Sequence, residues 1–373
     1  MARIVRSAAG WCCAVLFAGS LLSCTTSEPI YLGFVGALTG RGADLGVAGR
    51  NGAMLAIEQR NGVGGIKGRR VELLVRDDEQ NPDRAKRVVT ELINRKVAAI
   101  IGPMTSNVAV ETVPLVDASG TIMISPTVTT DSLSGKDDSF FRVISANSEY
   151  AAHNARFQFE KLGHRRAAVM YDLSNKAFSE GWLNDFRATF VRLGGKMVMA
   201  QPFASGNETT FLAAVKALLA AKPDVMVIIS NAVDAALICQ QVRKLDQRVA
   251  FTMVGWAATE RLLELGGMAV EGAYVDQYFN RDDSSESFTA FLTNYRKRFG
   301  LEPGFAGVAA YDATNVALDA LTRKGPEQPL KGVILATDRF QGVQQPITFD
   351  RFGDARRKTF VSTIRNGRFV IME

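Results

Sequence analysis

The stretch Ile100-Ile101-Gly102-Pro103-Met104-Thr105-Ser106-Asn107 leaves a short apolar run through a Gly-Pro turn and opens a helical pattern on hydroxyl side chains. A strand ending in this way presents free backbone N–H groups at a helix N-terminus, a place that favours an anion. The next apolar run ends alike, in Ile124-Ser125-Pro126-Thr127-Val128-Thr129-Thr130. In a parallel sheet the two hydroxyl-rich turns lie side by side and can hold one carboxylate. The competing reading is ordinary N-capping by Ser and Thr, at about 1 kcal/mol each.

Outward from these turns, short strand-like runs alternate with longer amphipathic runs, the pattern of an α/β protein. Strands are predicted over 30–35, 71–76, 97–101 and 121–125, with helices over 48–61, 82–96 and 106–119 between them. A second series begins near 148. It has helices over 149–162, 179–193, 208–221, 233–245 and 260–265, and strands over 167–171, 196–202, 224–230, 250–254 and 272–279. Helices over 285–299, 307–324 and 330–337 follow, then strands over 346–352 and 358–370 around turn signals at Phe352-Gly353-Asp354 and Asn366-Gly367. Two doubly wound sheets are implied, with a ligand cleft beyond the carboxyl ends of their strands. No sequence repeat relates the halves, and no low-complexity linker separates them.

Length and composition agree: 373 residues, 47% hydrophobic, suffice for two domains with cores of their own and exclude a disordered chain. The net charge of +6 comes with 22% charged residues and no long like-charge block. The pairs Arg69-Arg70, Arg165-Arg166 and Arg356-Arg357 lie far apart without interleaved aromatics, so nucleic-acid binding is not expected. The first residues read as an export signal. Arg3 and Arg6 precede a small apolar stretch over 8–22, too short to span a membrane. Leu21-Leu22-Ser23-Cys24 resembles the lipobox of bacterial lipoproteins, which makes Cys24 the expected lipid anchor and 24–29 a short tether; cleavage into a soluble secreted form is the alternative. The expected location is the bacterial cell envelope, outside the cytoplasm. Cys12 and Cys13 would leave with the signal, so Cys239 is the one remaining thiol, and an internal disulfide is not expected. Its apolar helical surroundings mark it as structural.

Enzyme signatures are missing. The chain has no Gly-x-Ser-x-Gly, Cys-x-x-Cys, His-Glu-x-x-His or Walker-type sequence, and its two histidines, His153 and His164, lack ligand spacing, so neither metal nor cofactor is expected. The glycine cluster over 62–68 follows a helix and leads into a strand, the reverse of a phosphate loop, and reads as a helix C-cap and turn.

In order and spacing these segments resemble the leucine/isoleucine/valine-binding-protein family, the type I periplasmic solute-binding proteins of branched-chain amino-acid ABC transporters. The resemblance is carried by Gly33-Phe34-Val35-Gly36-Ala37-Leu38-Thr39-Gly40, by Asn61 to Arg69, by Asp77-Asp78 with Asn81-Pro82, and by Gly102-Pro103 and Ser125-Pro126. It implies two Rossmann-like lobes joined by three crossovers, here 30–147 with 278–343 and 148–277 with 344–373. It also implies a non-catalytic, monomeric protein that closes on a small ligand and delivers it to a membrane permease. By position, Ser106, Thr127 and Thr129 match the residues that hold the ligand's α-carboxylate.

Other matched positions depart from the family's amino-acid site. Leu45 stands in place of an aromatic, Phe178 and Asn231 in place of tyrosines, and Ala257, in Gly255-Trp256-Ala257, in place of the acid that pairs with the ammonium. Asp276 is a possible substitute acid, or a hinge-bonded one; Trp256 is an apolar or cation–π wall, or core. A buried ammonium without a charge partner is costly. The expected ligand is therefore a small carboxylate with an apolar or aromatic body, and an amino acid is the alternative. A ligand sensor of the same fold and, more remotely, an exported hydrolase are the competing functions.

Overall fold

A computed structural model describes residues 28–372. The signal, Cys24 and most of the tether lie outside the described residues. The chain builds β1 (Ile30–Gly36), α1 (Ala43–Gly62), β2 (Val71–Asp77), α2 (Pro82–Asn94), β3 (Ala99–Ile101), α3 (Ser106–Ser119), β4 (Met123–Ser125) and β5 (Phe140–Arg142). The five strands form an all-parallel sheet in the order β2-β1-β3-β4-β5. It continues with α4 (Asn147–Arg156), β6 (Arg166–Asp172), α5 (Lys176–Arg192), β7 (Lys196–Phe203), α6 (Leu212–Ala220), β8 (Val225–Ile229), α7 (Ala232–Leu245), β9 (Ala250–Met253), α8 (Glu260–Gly266) and β10 (Tyr274–Gln277). Then come α9 (Glu286–Phe299), α10 (Gly304–Arg323), α11 (Leu330–Ala336), β11 (Phe360–Arg365) and β12 (Arg368–Ile371). The second sheet runs β12-β11-β10-β9-β8-β6-β7, parallel except for the antiparallel pairings of β11 with β10 and β12. The chain passes between the sheets three times: after β5, after β10 and before β11.

Local chemistry accounts for these elements. Helix α2 starts on Asn81, whose side chain accepts from Arg84 N at 3.0 Å, with Pro82 in the first turn. Its buried stripe, Ala85, Val88, Val89 and Leu92, follows helical spacing. Helix α5 stacks Trp182, Phe186 and Phe190 at four-residue intervals, centroids 5.2 Å apart at each step, against the second sheet. Helix α10 returns to the first sheet and crosses α1 closely, because a Cβ on Gly52 would lie 2.2 Å from the carbonyl oxygen of Gly307. The Asn366-Gly367 turn closes the β11–β12 hairpin with φ of 52° and 67°, the left-handed pair that this dipeptide favours.

Two expectations need correction. Strand β5 is absent from the sequence reading, because Phe140-Phe141 stands between the polar run over 134–139 and Arg142 and makes no apolar run; Phe140 and Phe141 are buried, and Arg142, 1% exposed, donates to Thr130 O and pairs with Asp354 at 2.7 Å. The segment over 346–352 was expected as a strand of the second lobe. It forms only isolated bridges, Phe340 with Ile347 and Phe349 with Ala355, and lies on the edge of the first sheet. Phe349 sets the placement, packing edge-on to Phe141 at 5.3 Å, so its burial is won on the first lobe.

Candidate functional site

The parallel strands of both sheets share one order, β2-β1-β3-β4-β5 and β7-β6-β8-β9-β10. Each reverses its winding beside its founding strand, between β1 and β3 in one and between β6 and β8 in the other, and loops part there to leave a crevice. The two crevices face each other. Between them lies a narrow cavity of about 10 Å³, room for about one water molecule. The first sheet contributes Leu45 from α1, Met104, Thr105 and Ser106 from the turn after β3, and Thr127 from the turn after β4. The second contributes Asn175 and Phe178 after β6 and Trp256 after β9; Tyr278 after β10 and Phe305 on α10 complete the lining.

The backbone makes this approach possible at Gly102, whose φ is +117° and where a Cβ would stand 2.2 Å from Val35 O. The turn can therefore fold tightly over β1 before α3 begins. Ser106 Oγ accepts from Thr129 N at 3.4 Å and from Thr130 N at 3.3 Å, tying the two hydroxyl-rich turns together. Thr127 Oγ1 donates to Met104 O at 2.6 Å. Phe178 and Trp256 meet edge to face, centroids 5.7 Å apart, to make an aromatic wall.

Four expected site residues are not among the lining. Thr129 is fully buried and donates to Asn147 Oδ1 at 2.6 Å, while Asn147 Nδ2 donates to Phe178 O at 2.9 Å. Its side chain thus helps tie the turn after β4 to the second lobe. Asn231 caps α7, accepting from Asp234 N at 3.0 Å and donating to Asp234 Oδ2 at 2.7 Å. Ala257 is fully buried behind Trp256 in a short 3-10 turn. Asp276 is 2% exposed in β10; its Oδ1 accepts from Asn154 Nδ2 at 2.6 Å and its Oδ2 has no hydrogen-bond partner. Burial pushes its carboxyl up to about 8 against the pull of the Asn154 hydrogen bond. It therefore faces the sheet interior and not the cavity.

Sequence reasoning missed Met104, Thr105, Asn175, Tyr278 and Phe305 as lining residues. The first four follow strand ends β3, β6 and β10, so the rule that located the cleft could have found them. Phe305 depends on the return of α10 and had no local signal.

Among the described residues no acidic or basic side chain lines the cavity. The charges stand outside it, where direct contacts join the lobes. Arg41 pairs with Asp234, which also accepts from Ser205 Oγ. Thr259 Oγ1 donates to Asp44 Oδ2 at 2.7 Å, and Asn107 N to Asn175 Oδ1 at 2.9 Å. Burial raises the Asp44 carboxyl, an effect the Thr259 hydrogen bond opposes. Among the described residues no group of three or more His, Cys, Asp or Glu is placed to hold a metal. No helix among them is long and apolar enough to cross a membrane.

Comparison with known proteins agrees with this geometry. The periplasmic binding protein family model matches residues 29–367. A leucine-, isoleucine-, valine-, threonine- and alanine-binding protein of Pseudomonas aeruginosa is 22% identical over 351 residues, 93% of this chain and 92% of the relative. The solved leucine-binding protein of Thermotoga maritima superposes with a TM-score of 0.85 at 26% identity, covering 92% of this chain and 98% of that one. A solute-binding protein of an ABC transporter from R. palustris, solved with benzoate, gives 0.84 at 19% identity over 92% and 96% of the two chains, a likeness of fold. With sheet order, interlobe cavity and family match in accord, the chain belongs to the periplasmic binding protein family, in its leucine/isoleucine/valine-binding, type I group.

Proposed function

We propose that this protein captures a small carboxylate without an ammonium group, carrying an apolar or aromatic body, and hands it to an ABC permease at the membrane. The observation that carries this reading is the lining, which holds hydroxyls, a helix N-terminus and aromatic faces but, among the described residues, no ionised side chain. A carboxylate finds donors in the hydroxyls of Thr105 and Ser106 and at the N-terminus of α3; the Thr127 hydroxyl and the Asn107 N–H are already given to Met104 O and Asn175 Oδ1. Hydrogen bonds to a charged group contribute about 1.5–3 kcal/mol each, enough for a few to supply much of a micromolar affinity. Phe178, Trp256, Tyr278 and Phe305 receive the body. An ammonium buried there would have no countercharge, and Asp276 is turned away and held by Asn154.

In this reading the two lobes close on the ligand as rigid bodies, 30–146 with 278–355 and 147–277 with 356–372, and closure presents the surface a permease recognises. Acylated at Cys24, the protein stays at the membrane while it samples solute; loss of fatty-acid labelling in Cys24→Ala tests that part. The ligand is tested by thermal unfolding against amino acids and against aliphatic and aromatic acids that lack an amine. A ligand at a hundredfold excess over its Kd adds about 2.7 kcal/mol, a shift of several degrees. Stabilisation by amine-free acids is the expected result. Stabilisation by leucine or valine alone would return the site to amino acids.

A further inference from the structure

At the pole opposite the ligand cavity, the amino ends of β1 and β3 and the carboxyl ends of α1, α2 and α10 surround an open hollow of about 570 Å³. Its rim carries Lys67, Arg69, Arg95, Lys96 and Lys324 against one acid, Glu28. Some of these cations serve the backbone: Lys67 Nζ donates to Lys324 O at 2.6 Å and Arg69 Nε to Glu28 O at 2.8 Å. Among the described residues none of the five forms an ion pair, whereas Arg76, Arg296 and Arg298 elsewhere on the surface pair with Glu91, Glu302 and Glu58. The floor is apolar, with Ile30, Ile66 and Leu321. Beside it, at the tip of the turn after α1, Val63 projects into solvent at 82% exposure.

We infer that this face binds the anionic headgroups of a phospholipid surface. Unneutralised lysines and arginines around an apolar floor, next to a projecting aliphatic side chain, match the phosphate and upper acyl layers of a bilayer together, which a free anion would use only in part. β1, at seven residues, separates this pole from the cavity by about 20 Å, so contact with a membrane here leaves the ligand cleft open. The assignment does not depend on an anchor at Cys24. If Cys24 is acylated, Thr25 to Ser27 alone separate it from Glu28, and the tether holds this same face near the bilayer.

The test uses the chain from Thr25 onward, which lacks both the apolar stretch over 8–22 and any acyl group, and measures sedimentation with vesicles of phosphatidylcholine alone or mixed with phosphatidylglycerol. Binding to the mixed vesicles that fades with added salt is expected. In the double variant Arg95→Glu with Lys96→Asn it should weaken about tenfold or more, with thermal stability unchanged; Asn suits the positive φ of 55° at Lys96. Arg69→Gln, a milder change, should weaken it less. Equal binding to both vesicle types, or full binding by the double variant, would overturn the inference. So would displacement by inorganic phosphate at an ionic strength where chloride has no effect, which would reassign the hollow to a free anion.

Discussion

Ser106 does two things with one hydroxyl. It stands in the cavity wall at the start of α3, and it accepts the N–H groups of Thr129 and Thr130, so the turn that faces the ligand is shaped by it. Ser106→Ala should raise the Kd about fivefold, near 1 kcal/mol, and also cost about 1–3 kcal/mol of stability, because the buried N–H groups of Thr129 and Thr130 lose their acceptor; calorimetry giving an unchanged Kd would remove Ser106 from the site. Asp276 predicts a pH effect on stability. Its folded carboxyl titrates near 8, against an ordinary 3.8, so between those values the folded state keeps a proton that the unfolded state releases. Its contribution is present in full below about pH 4 and is lost as pH rises through 8. Urea unfolding at pH 5 and pH 8 should show a smaller decline in Asp276→Asn than in the parent. Asp78, buried and pushed up to about 7, contributes the same sign in both proteins, so the difference isolates Asp276. Turn chemistry pointed to Ser106 and Thr127, and the family resemblance to Leu45, Phe178 and Trp256; all five line the cavity. Of the two readings open for Asp276, a substitute acid or an internally bonded one, the contact with Asn154, which only packing brings within reach, favours the second; Asn231 is taken up by a local cap on α7.

At the scale of elements, the lobes are latched by loops and helix ends. Arg41, in the loop after β1, reaches Asp234 on α7, a fully buried carboxylate that also holds Ser205 and Asn231. Because this charge-assisted contact crosses the cleft, it contributes to the closed form; such bonds are worth about 1.5–3 kcal/mol. Arg41→Ala should weaken ligand binding about tenfold, mainly through faster release, in stopped-flow measurements. An unchanged release rate would mean that the contact forms independently of the ligand. Long helices were legible from their apolar period and caps, as α2 and α3 illustrate. Strand β5 and the bridges of 347–355 were not, since Phe140-Phe141 makes no apolar run and both depend on where Phe141 and Phe349 meet.

For the whole molecule, the proposed function requires the lobes to move as bodies about the three passes between sheets and to close once the cavity is filled. Small-angle scattering should therefore record a smaller radius of gyration with a bound carboxylate than without; superimposable profiles at saturating ligand would argue against hinge closure. The sequence by itself determined the alternation of strands and helices, the carboxyl-end location of the site and the family. These depend on periodicity, turn chemistry and short motifs, all of which act within a few residues of each other. Only the tertiary structure decided that Thr129 and Asp276 belong to internal hydrogen-bond networks, that Phe305 and Tyr278 complete the cavity, and that five separate cations gather at one pole. Those facts rest on contacts between residues up to a few hundred positions apart, and a periodic pattern carries no information about which distant face each one meets.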